Sequence, residues 1–448
     1  MITRFNYSKS KLLIINCSLL IILNACSVQK QIAKSAKEVV LDVKGLKTAH
    51  IGISIFDPAA NKYLYNYQGD KYFVPASNTK LPTCYAAMKY LGDSLVSFLV
   101  KETDDTIFLK PCGDPTFLNS EFSNQSFFNQ LTKTGKKILV YNNSKDQIDE
   151  YGSGWSWNDY QESYMAERSA MPVFGNVITF EQKENTVYAF PPVMKNPFMN
   201  EPMIQLLGKG INVKVIREKD DNKFSFWKAA SAFRKIQIPF KTKWGLTNFD
   251  FLRDTLHMDK EQILFSFTQT FNGYKKHYSQ PSDSLLKPMM HRSDNFFAEQ
   301  TLLMVSNERL GYMNDEKIID TLLKTDFSDL PQKPRWADGS GLSRYNLFTP
   351  QDFVAILNKM KNEFGMERIK TILATGGEGT ISNYYKADSG YIYGKTGTLS
   401  GVVAFSGFLY TKSGRLLIFS TLINNHQTSS TEVRRAIEKF LLEVRSLF

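Results

Sequence analysis

The chain of 448 residues is 42% hydrophobic and 22% charged, a balance that excludes a disordered polypeptide and allows two or three domains. Its formal net charge of +11 is not gathered into a dense Lys/Arg block, and no zinc-finger or RNA-binding signature is present, so we expect no nucleic-acid partner. The five histidines stand in no triad or HExxH setting and the cysteines lack metal-site spacing, so we expect neither a metal nor a cofactor.

The first 25 residues have the composition of an export signal. Basic residues precede the apolar run LLIINCSLLIILNA, which two asparagines interrupt and which is short for a membrane span. Residues 23–26 (LNAC) are similar to a bacterial lipobox, which predicts a lipoprotein signal peptide over residues 1–25 and a lipid on Cys26. Ordinary signal cleavage beside an incidental cysteine is the alternative.

The sequence therefore predicts an exported protein of the cell envelope (periplasm), anchored in the membrane through a lipid on Cys26. Residues 26–44 are expected to form a polar tether and the start of an N-terminal helix. Cys84 and Cys112 are the cysteines outside this segment, and Cys84 stands in an apolar helical pattern typical of a small core residue. A disulfide between them would suit an oxidising compartment, and the sequence leaves that pairing open.

The predicted elements, taken in chain order, place strands at both ends of the chain and helices between them. The alternation in HIGISIFD, followed by KYLYNYQ after the turn residues PAAN, predicts a β-hairpin, and FVPASNTKLPTCYAAMKYLG predicts a helix. YIYGKTGT, VVAFSGFLYT and RLLIFSTLIN predict three more strands, and STEVRRAIEKFLLEVRSLF has helical spacing. We therefore predict an α+β fold in which a five-stranded antiparallel sheet is flanked by helices.

The middle of the chain, residues 102–272, breaks this pattern with short strand-like runs and many aromatic residues. We interpret it as one or two smaller domains inserted into the first domain, which then comprises residues 45–101 and 273–448. No internal repeat or low-complexity segment suggests another arrangement.

A serine and a lysine three residues apart, Ser77 and Lys80, stand where an apolar helical pattern begins. Residues with this spacing share a helix face, so the lysine can reach the serine oxygen and, once desolvated, remove its proton. The same pattern also fits a helix start followed by a solvated lysine, and S-x-x-K alone is weak evidence.

Two further motifs favour the catalytic interpretation. Ser293, Asp294 and Asn295 open a helical pattern, and Lys395-Thr396-Gly397 ends a predicted strand. S-x-x-K, S-D-N and K-T-G together are the motif set of penicillin-binding proteins and class A β-lactamases, and all three occur here in that order. Asp294 would otherwise be a helix cap and K-T-G a turn.

Each member of the set has a chemical task. Ser77 is the predicted nucleophile and Lys80 its predicted base. Ser293 can relay a proton to the leaving amine, and Asn295 can hold Lys80 and the substrate amide. Lys395 supplies positive charge that lowers the pKa of Lys80 and attracts a substrate carboxylate. Two substrate contacts complete the prediction: Thr396 as a hydrogen-bond donor, and the backbone N–H groups of Ser77 and Thr398 as the oxyanion hole.

The chain resembles the class C low-molecular-mass penicillin-binding proteins, the D-alanyl-D-alanine carboxypeptidase/endopeptidase family. PASNTKL, CGDPTF, WSWNDYQESYMAERSAM, ADGSGLSRYNLFTP, GGEGT and YGKTGTLSGVVAFSGFL carry the resemblance, in that order. It implies a penicillin-binding-protein/serine β-lactamase-like transpeptidase fold with inserted domains, an acyl-enzyme on Ser77, peptidoglycan stem peptides as substrates and β-lactams as covalent inhibitors. It also implies a pocket for the diamino acid of the stem peptide, formed by Asp159, Tyr164, Arg344, Leu399 and Ser400.

Two alternatives to the carboxypeptidase stay open at this point: a β-lactamase-like hydrolase or esterase, and a catalytically weak wall-binding scaffold lipoprotein. The motif S-D-N differs from the tyrosine form of class C β-lactamases, and no glutamate corresponds to a class A deacylation base. Carboxypeptidase and endopeptidase action need the same acyl transfer, so the sequence does not separate them.

Overall fold

The structure of the protein, a computed structural model, describes residues 28–184, 186–191, 203–205, 212–231, 233–268 and 270–448. The predicted signal peptide and Cys26 lie outside these residues. The strands are β1 (His50–Asp57), β2 (Lys62–Tyr67), β3 (Ser94–Glu102), β4 (Thr106–Pro111), β5 (Lys137–Asn143), β6 (Val177–Lys183), β7 (Thr186–Phe190), β8 (Met203–Gln205), β9 (Val213–Arg217), β10 (Phe224–Lys228), β11 (Lys235–Pro239), β12 (Ile263–Thr268), β13 (Lys275–Pro281), β14 (Ala374–Thr375), β15 (Ile392–Leu399), β16 (Val402–Tyr410) and β17 (Leu416–Asn424).

The described part of the chain also contains α-helices and shorter helical turns. The helices are α1 (28–36), α2 (Lys80–Tyr90), α3 (Ser126–Leu131), α4 (Leu246–Leu256), α5 (Ser282–His291), α6 (Asn295–Leu310), α7 (Asp315–Lys324), α8 (Pro350–Ile372) and α9 (Ser430–Ser446). A π-helical turn, Lys37–Leu41, continues α1, and a 3₁₀ turn, Ala76–Thr79, precedes α2.

The main sheet contains the five long strands that the sequence predicts. Its order is β14-β15-β16-β17-β1-β2, and every neighbouring pair is antiparallel. The sixth strand, β14, is only two residues long, too short to show an alternation in the sequence. The predicted α+β fold class is confirmed.

Helices cover both faces of this sheet. On one face, the core contains apolar side chains of α2, α5, α6, α7 and α8. On the other face, α1 and α9 pack against the sheet, and Ile32 and Ala36 of α1 are fully buried there. The helix α1 and the π-helical turn thus occupy residues 28–41 of the segment 26–44, for which the sequence predicted a tether and the start of an N-terminal helix. Ile32, Ala36, Val39 and Val40 recur at helical spacing and so form an apolar stripe.

The second sheet, in the middle of the chain, has the order β12-β5-β4-β3-β13 and contains both parallel and antiparallel pairs. A four-stranded sheet, β11-β6-β7-β8, and the hairpin β9-β10 share its apolar core. Because β3 and β13 pair within this second sheet, we propose an inserted region of about residues 94–281, wider at both ends than the predicted 102–272.

Cys84 and Cys112 are free, buried thiols, so the disulfide that the sequence left open is not formed. Burial raises the pKa of each thiol to about 12. Among the helices of the described residues, none combines the length and the apolar character needed to cross a membrane.

Candidate active site

The turn before α2 and the first residue of that helix bring the predicted nucleophile and base together. The Nζ atom of Lys80 lies 3.0 Å from the Oγ atom of Ser77. The amine also donates to the side-chain oxygen of Asn295 and to the backbone carbonyl of Ser340, each at 2.7 Å. Lys80 is fully buried, so the solvated lysine of the alternative interpretation is excluded.

The environment of Lys80 lowers its pKa from 10.5 to about 8. The main cause is burial, which disfavours the ammonium form; Asp338, Glu299 and Asp294 partly oppose it. Of the two causes that the sequence analysis expected, desolvation accounts for this shift, and the charge of Lys395 is not among its main causes. A lysine with this pKa is a competent proton acceptor near neutral pH.

The S-D-N motif forms a strained entry into helix α6. Ser293 has a positive φ of 65°, a conformation that non-glycine residues rarely adopt. The Asp294 carboxylate caps the helix by accepting a hydrogen bond from the Phe297 N–H at 2.9 Å. The cap fixes the first residue of the helix, Asn295, whose side-chain oxygen then meets Lys80.

The K-T-G motif lies on β15. Lys395 is fully buried, and its Nζ donates to Ser293 Oγ at 2.9 Å and to the Thr396 carbonyl at 2.7 Å. Burial lowers the pKa of Lys395 well below its usual value, and the nearby charges of Lys80 and Arg434 add to the effect. The two lysines are therefore close enough to interact electrostatically, with Ser293 bound to Lys395 and with Ser77 and Asn295 bound to Lys80.

Two glycines allow the surrounding segments to press on the nucleophile turn. A Cβ atom at Gly397 would stand 2.7 Å from the Pro75 carbonyl oxygen and 2.9 Å from the Ser77 nitrogen. Gly341 has a φ of +83°, and its Cβ would overlap the carbonyl of Ala76. Larger side chains at these two positions would displace Ser77, which is why glycine is required.

The strand β15 offers a free edge beside Ser77. Its neighbour β14 pairs only with Tyr393 and Gly394, so in the described structure residues 395–399 have a strand partner on one side alone, β16. An extended peptide can add to such an edge through main-chain hydrogen bonds. Thr398 belongs to this stretch and directly follows Gly397, at which an added Cβ would stand 2.9 Å from the Ser77 nitrogen.

Two groups of side chains predicted to recognise the stem peptide lie on different segments. Burial, with the Asp159 carboxylate adding to it, raises the pKa of Tyr164 to about 12, and the Tyr164 carbonyl accepts a long hydrogen bond (3.4 Å) from Asn295. Arg344 donates to the carbonyl of Ser400 at 2.8 Å, next to Leu399 at the end of β15.

The segment before Asp159 and the loop that carries Arg344 pack on each other. Trp155 donates its indole N–H to Asp338 at 2.9 Å, and a Cβ at Gly154 would touch Tyr345 and Ser343. A cleft of about 410 Å³ runs past Tyr164, Ser293 and Asn295 to the inserted region. A larger cavity of about 630 Å³ is lined by other residues and contains none of the predicted site residues.

Several polar groups of this site escaped the sequence interpretation. Thr380, from the GGEGT stretch that suggested only a turn, accepts a hydrogen bond from Thr396 at 2.6 Å. Arg434 of α9 donates to the Thr398 hydroxyl at 2.6 Å. Glu299 and Asp338 are buried beneath Lys80. Asp338 and Thr380 lie in stretches that carry the family resemblance, and Glu299 follows Asn295 by four residues and so shares its helix face.

The architecture is that of the penicillin-binding-protein/serine β-lactamase-like fold. A crystal structure of penicillin-binding protein 4 (DacB) from Haemophilus influenzae superposes with a TM-score of 0.68 at 21% identity, covering 92% of this chain and 97% of that one. The same protein in complex with a β-lactam gives a TM-score of 0.62 at 20% identity, over 89% and 96% of the two chains.

The chain belongs to the D-Ala-D-Ala carboxypeptidase 3 (S13) family, which matches residues 32–194 and 269–444. It is 26% identical to D-alanyl-D-alanine carboxypeptidase DacB of Haemophilus influenzae, over 83% of this chain and 85% of that protein. It is 23% identical to the D-alanyl-D-alanine carboxypeptidase of Actinomadura sp. (strain R39), over 87% and 80%. The predicted class C penicillin-binding protein and the predicted enzyme class, a D-Ala-D-Ala carboxypeptidase, are confirmed.

Proposed function

We propose that the protein is an exported serine-type D-Ala-D-Ala carboxypeptidase/endopeptidase that acts on peptidoglycan stem peptides through an acyl-enzyme on Ser77. The observation that carries this proposal is the 3.0 Å contact between Ser77 Oγ and a fully buried Lys80 amine whose pKa is lowered to about 8. The family match supports a peptidase over the esterase and scaffold alternatives.

Acylation begins when Ser77 Oγ attacks the carbonyl carbon of the penultimate D-alanine and its proton passes to the neutral amine of Lys80. The backbone N–H groups of Ser77 and Thr398 stabilise the negative charge that develops on the carbonyl oxygen. The C–N bond then breaks, and the leaving amine receives a proton through Ser293. Water hydrolyses the resulting ester by the reverse sequence of proton transfers, and Ser77 is regenerated.

The carboxylate of the terminal D-alanine binds at the end of β15. Lys395 and Thr396 provide an ammonium and a hydroxyl there, and Arg434 adds a second cation beside Thr398. The lowered pKa of Lys395 describes the active site without a bound substrate. Because a nearby anion favours the charged form, a bound carboxylate raises the proton affinity of Lys395. Substrate binding thereby strengthens the contact that holds the substrate.

The side chain of the stem-peptide diamino acid lies between two groups of residues. One contains Asp159 and Tyr164, and the other contains Arg344 and the residues at the end of β15. Asp159 binds its free amine, with Tyr164 beside the carboxylate. Arg344 braces the turn after Leu399 by binding the Ser400 carbonyl. This position for the amine follows from charge complementarity, since Asp159 makes no ion pair within the described residues.

Fluorescent penicillin tests the acyl-enzyme directly. Incubating the mature chain with it should give one covalent adduct per molecule, and peptide mapping should locate the adduct on Ser77. Ser77→Ala should lose the label, whereas Ser382→Ala, an exposed serine in the neighbouring turn, should keep it. An adduct on any other residue, or a folded wild-type protein that takes no label, would refute the assignment of the nucleophile.

Export and lipid attachment are part of the proposal. The signal-like run and the LNAC sequence support lipidation of Cys26, and the family is consistent with an enzyme of the cell envelope. Cells expressing the full chain should incorporate labelled palmitate, and Cys26→Ala should abolish this while Cys84→Ala, a buried core position, should not. Label that persists in Cys26→Ala would rule out lipidation at this cysteine.

A further inference from the structure

Glu299 is a buried carboxylate that connects to the proposed base without touching it. It lies one helical turn after Asn295 on α6 and is 1% exposed. One carboxylate oxygen accepts a hydrogen bond from the Ser340 N–H at 2.7 Å. The other lies 3.5 Å from the guanidinium of Arg168, which also binds Asp315 at 2.5 Å.

Ser340 is the link between this carboxylate and the active site. Its N–H is held by Glu299, and its carbonyl accepts the 2.7 Å hydrogen bond from Lys80. The adjacent Gly341 N–H is held in turn by Asp338 at 2.8 Å. Two carboxylates therefore fix the backbone on both sides of Ser340, so that its carbonyl points at the Lys80 amine.

Charged groups from four elements face this buried site. Arg168 comes from the loop before β6, Asp315 from α7, Asp338 from the loop before α8, and Lys80 from α2. Burial, with Asp338 next, raises the pKa of Glu299 to about 7. Glu299 in turn raises the pKa of Lys80 against the larger effect of burial. The Glu299 charge thus makes Lys80 keep its proton to a higher pH.

We propose that Glu299 is a positioning residue for acylation, which orients the Lys80 amine through Ser340 and sets the pH range in which Lys80 accepts the Ser77 proton. This inference rests on the proposed function of Lys80 as the base. Glu299 itself touches neither Ser77 nor the substrate groups of the cleft. Its effect is therefore expected in the pH profile rather than in a loss of the nucleophile.

The test is the rate constant of penicillin acylation measured from about pH 5 to 10 for Glu299→Gln. The glutamine oxygen can still accept the Ser340 N–H, whereas the charge is gone. The acidic limb is the pH range in which the acylation rate constant rises as Lys80 loses its proton. It should move to lower pH by about one unit, because a nearby carboxylate shifts the pKa of a charged partner by about 1–3 units and its removal lowers the pKa of Lys80. The alkaline plateau should change only a few-fold.

Two further variants separate this effect from a structural one. Glu299→Asp keeps the charge on a side chain that is one methylene shorter. The acidic limb of its pH profile should therefore stay at the wild-type pH, while the acylation rate constant on the alkaline plateau falls. Glu308→Gln removes the partner of Lys276 elsewhere on α6 and should leave the whole profile unchanged. If Glu299→Gln does not fold, the pH profile of Glu299→Asp becomes the test. An acidic limb that is displaced from the wild-type pH in this variant contradicts the proposal.

A Glu299→Gln profile that superposes on the wild type, or that drops equally at every pH, would overturn the positioning role and leave the Ser77–Lys80 mechanism intact. A wild-type profile with no acidic limb would instead remove Lys80 as the base, and this inference with it.

Discussion

Replacing Lys80 with alanine should lower the rate constant for acylation of Ser77 by about 10²–10⁴-fold, the usual contribution of a positioned general base. The wild-type amine contacts Ser77, Asn295 and the Ser340 carbonyl, so its loss removes the proton acceptor and leaves the Asn295 side-chain oxygen and the Ser340 carbonyl without this donor. Because the base acts in its neutral form, the wild-type rate should rise with pH and flatten above about pH 8. The alkaline rise should be absent from Lys80→Ala.

The measurement is stopped-flow or gel-based acylation by penicillin across this pH range, with the melting temperature of each variant recorded. Lys89→Ala is the matched control, because Lys89 lies on the same helix and binds Asp326 at 2.7 Å, outside the catalytic site. It should acylate at the wild-type rate. If Lys80→Ala keeps the wild-type rate within about threefold while folded, another group takes the Ser77 proton, and Lys395 would be the first to test.

The sequence was sufficient for the main strands and for the three motifs, because both are local patterns. β1 and β2 alternate visibly, and Ser77 and Lys80 are neighbours on one short segment. The motif order then predicted which distant segments meet. The five long strands of the main sheet are where the apolar runs indicated.

What the sequence did not predict depends on contacts between distant segments. Ser340 reaches Lys80 from 260 positions away along the chain. A backbone carbonyl has no sequence signature, so this contact becomes visible only once α2, α6 and the loop at 338–346 are packed together. The same holds for Thr380, whose hydroxyl meets Thr396 although its own segment suggests only a turn.

The limits of the inserted region, predicted at residues 102–272 and proposed here at about 94–281, depend on contacts of the same kind. β3 and β13 follow and precede segments of the main domain directly, and nothing in their composition shows which sheet they join. Their partners, including β4 for β3, are set by strand pairing. In residues 28–41, lysines between the apolar positions concealed the apolar stripe that packs against the sheet, whereas the start of a helix in this segment was predicted.

The pocket for the stem peptide gives the second large expected effect. Asp159→Asn should lower kcat/KM about 10–100-fold for a stem peptide whose diamino acid carries a free side-chain amine, the cost of losing one charge-assisted hydrogen bond. The rate of penicillin acylation should stay within about twofold of wild type, because penicillin has no such amine and the contacts of Ser77 and Lys80 are unchanged.

A second substrate turns this into a test of the contact itself. With the side-chain amine acetylated, wild-type and Asp159→Asn enzymes should have similar kcat/KM values, because the charge that Asp159 recognises is absent from both reactions. Glu261→Gln provides the control, since Glu261 is an exposed carboxylate in the turn between α4 and β12, apart from the predicted pocket, and should affect neither substrate. A loss that is equal for the free and the acetylated amine would mean that Asp159 only supports the Tyr164 loop, and the amine would then have to be bound elsewhere in the cleft. A loss confined to the free amine would fix the orientation of the stem peptide, with its diamino acid at Asp159 and its terminal carboxylate at Lys395.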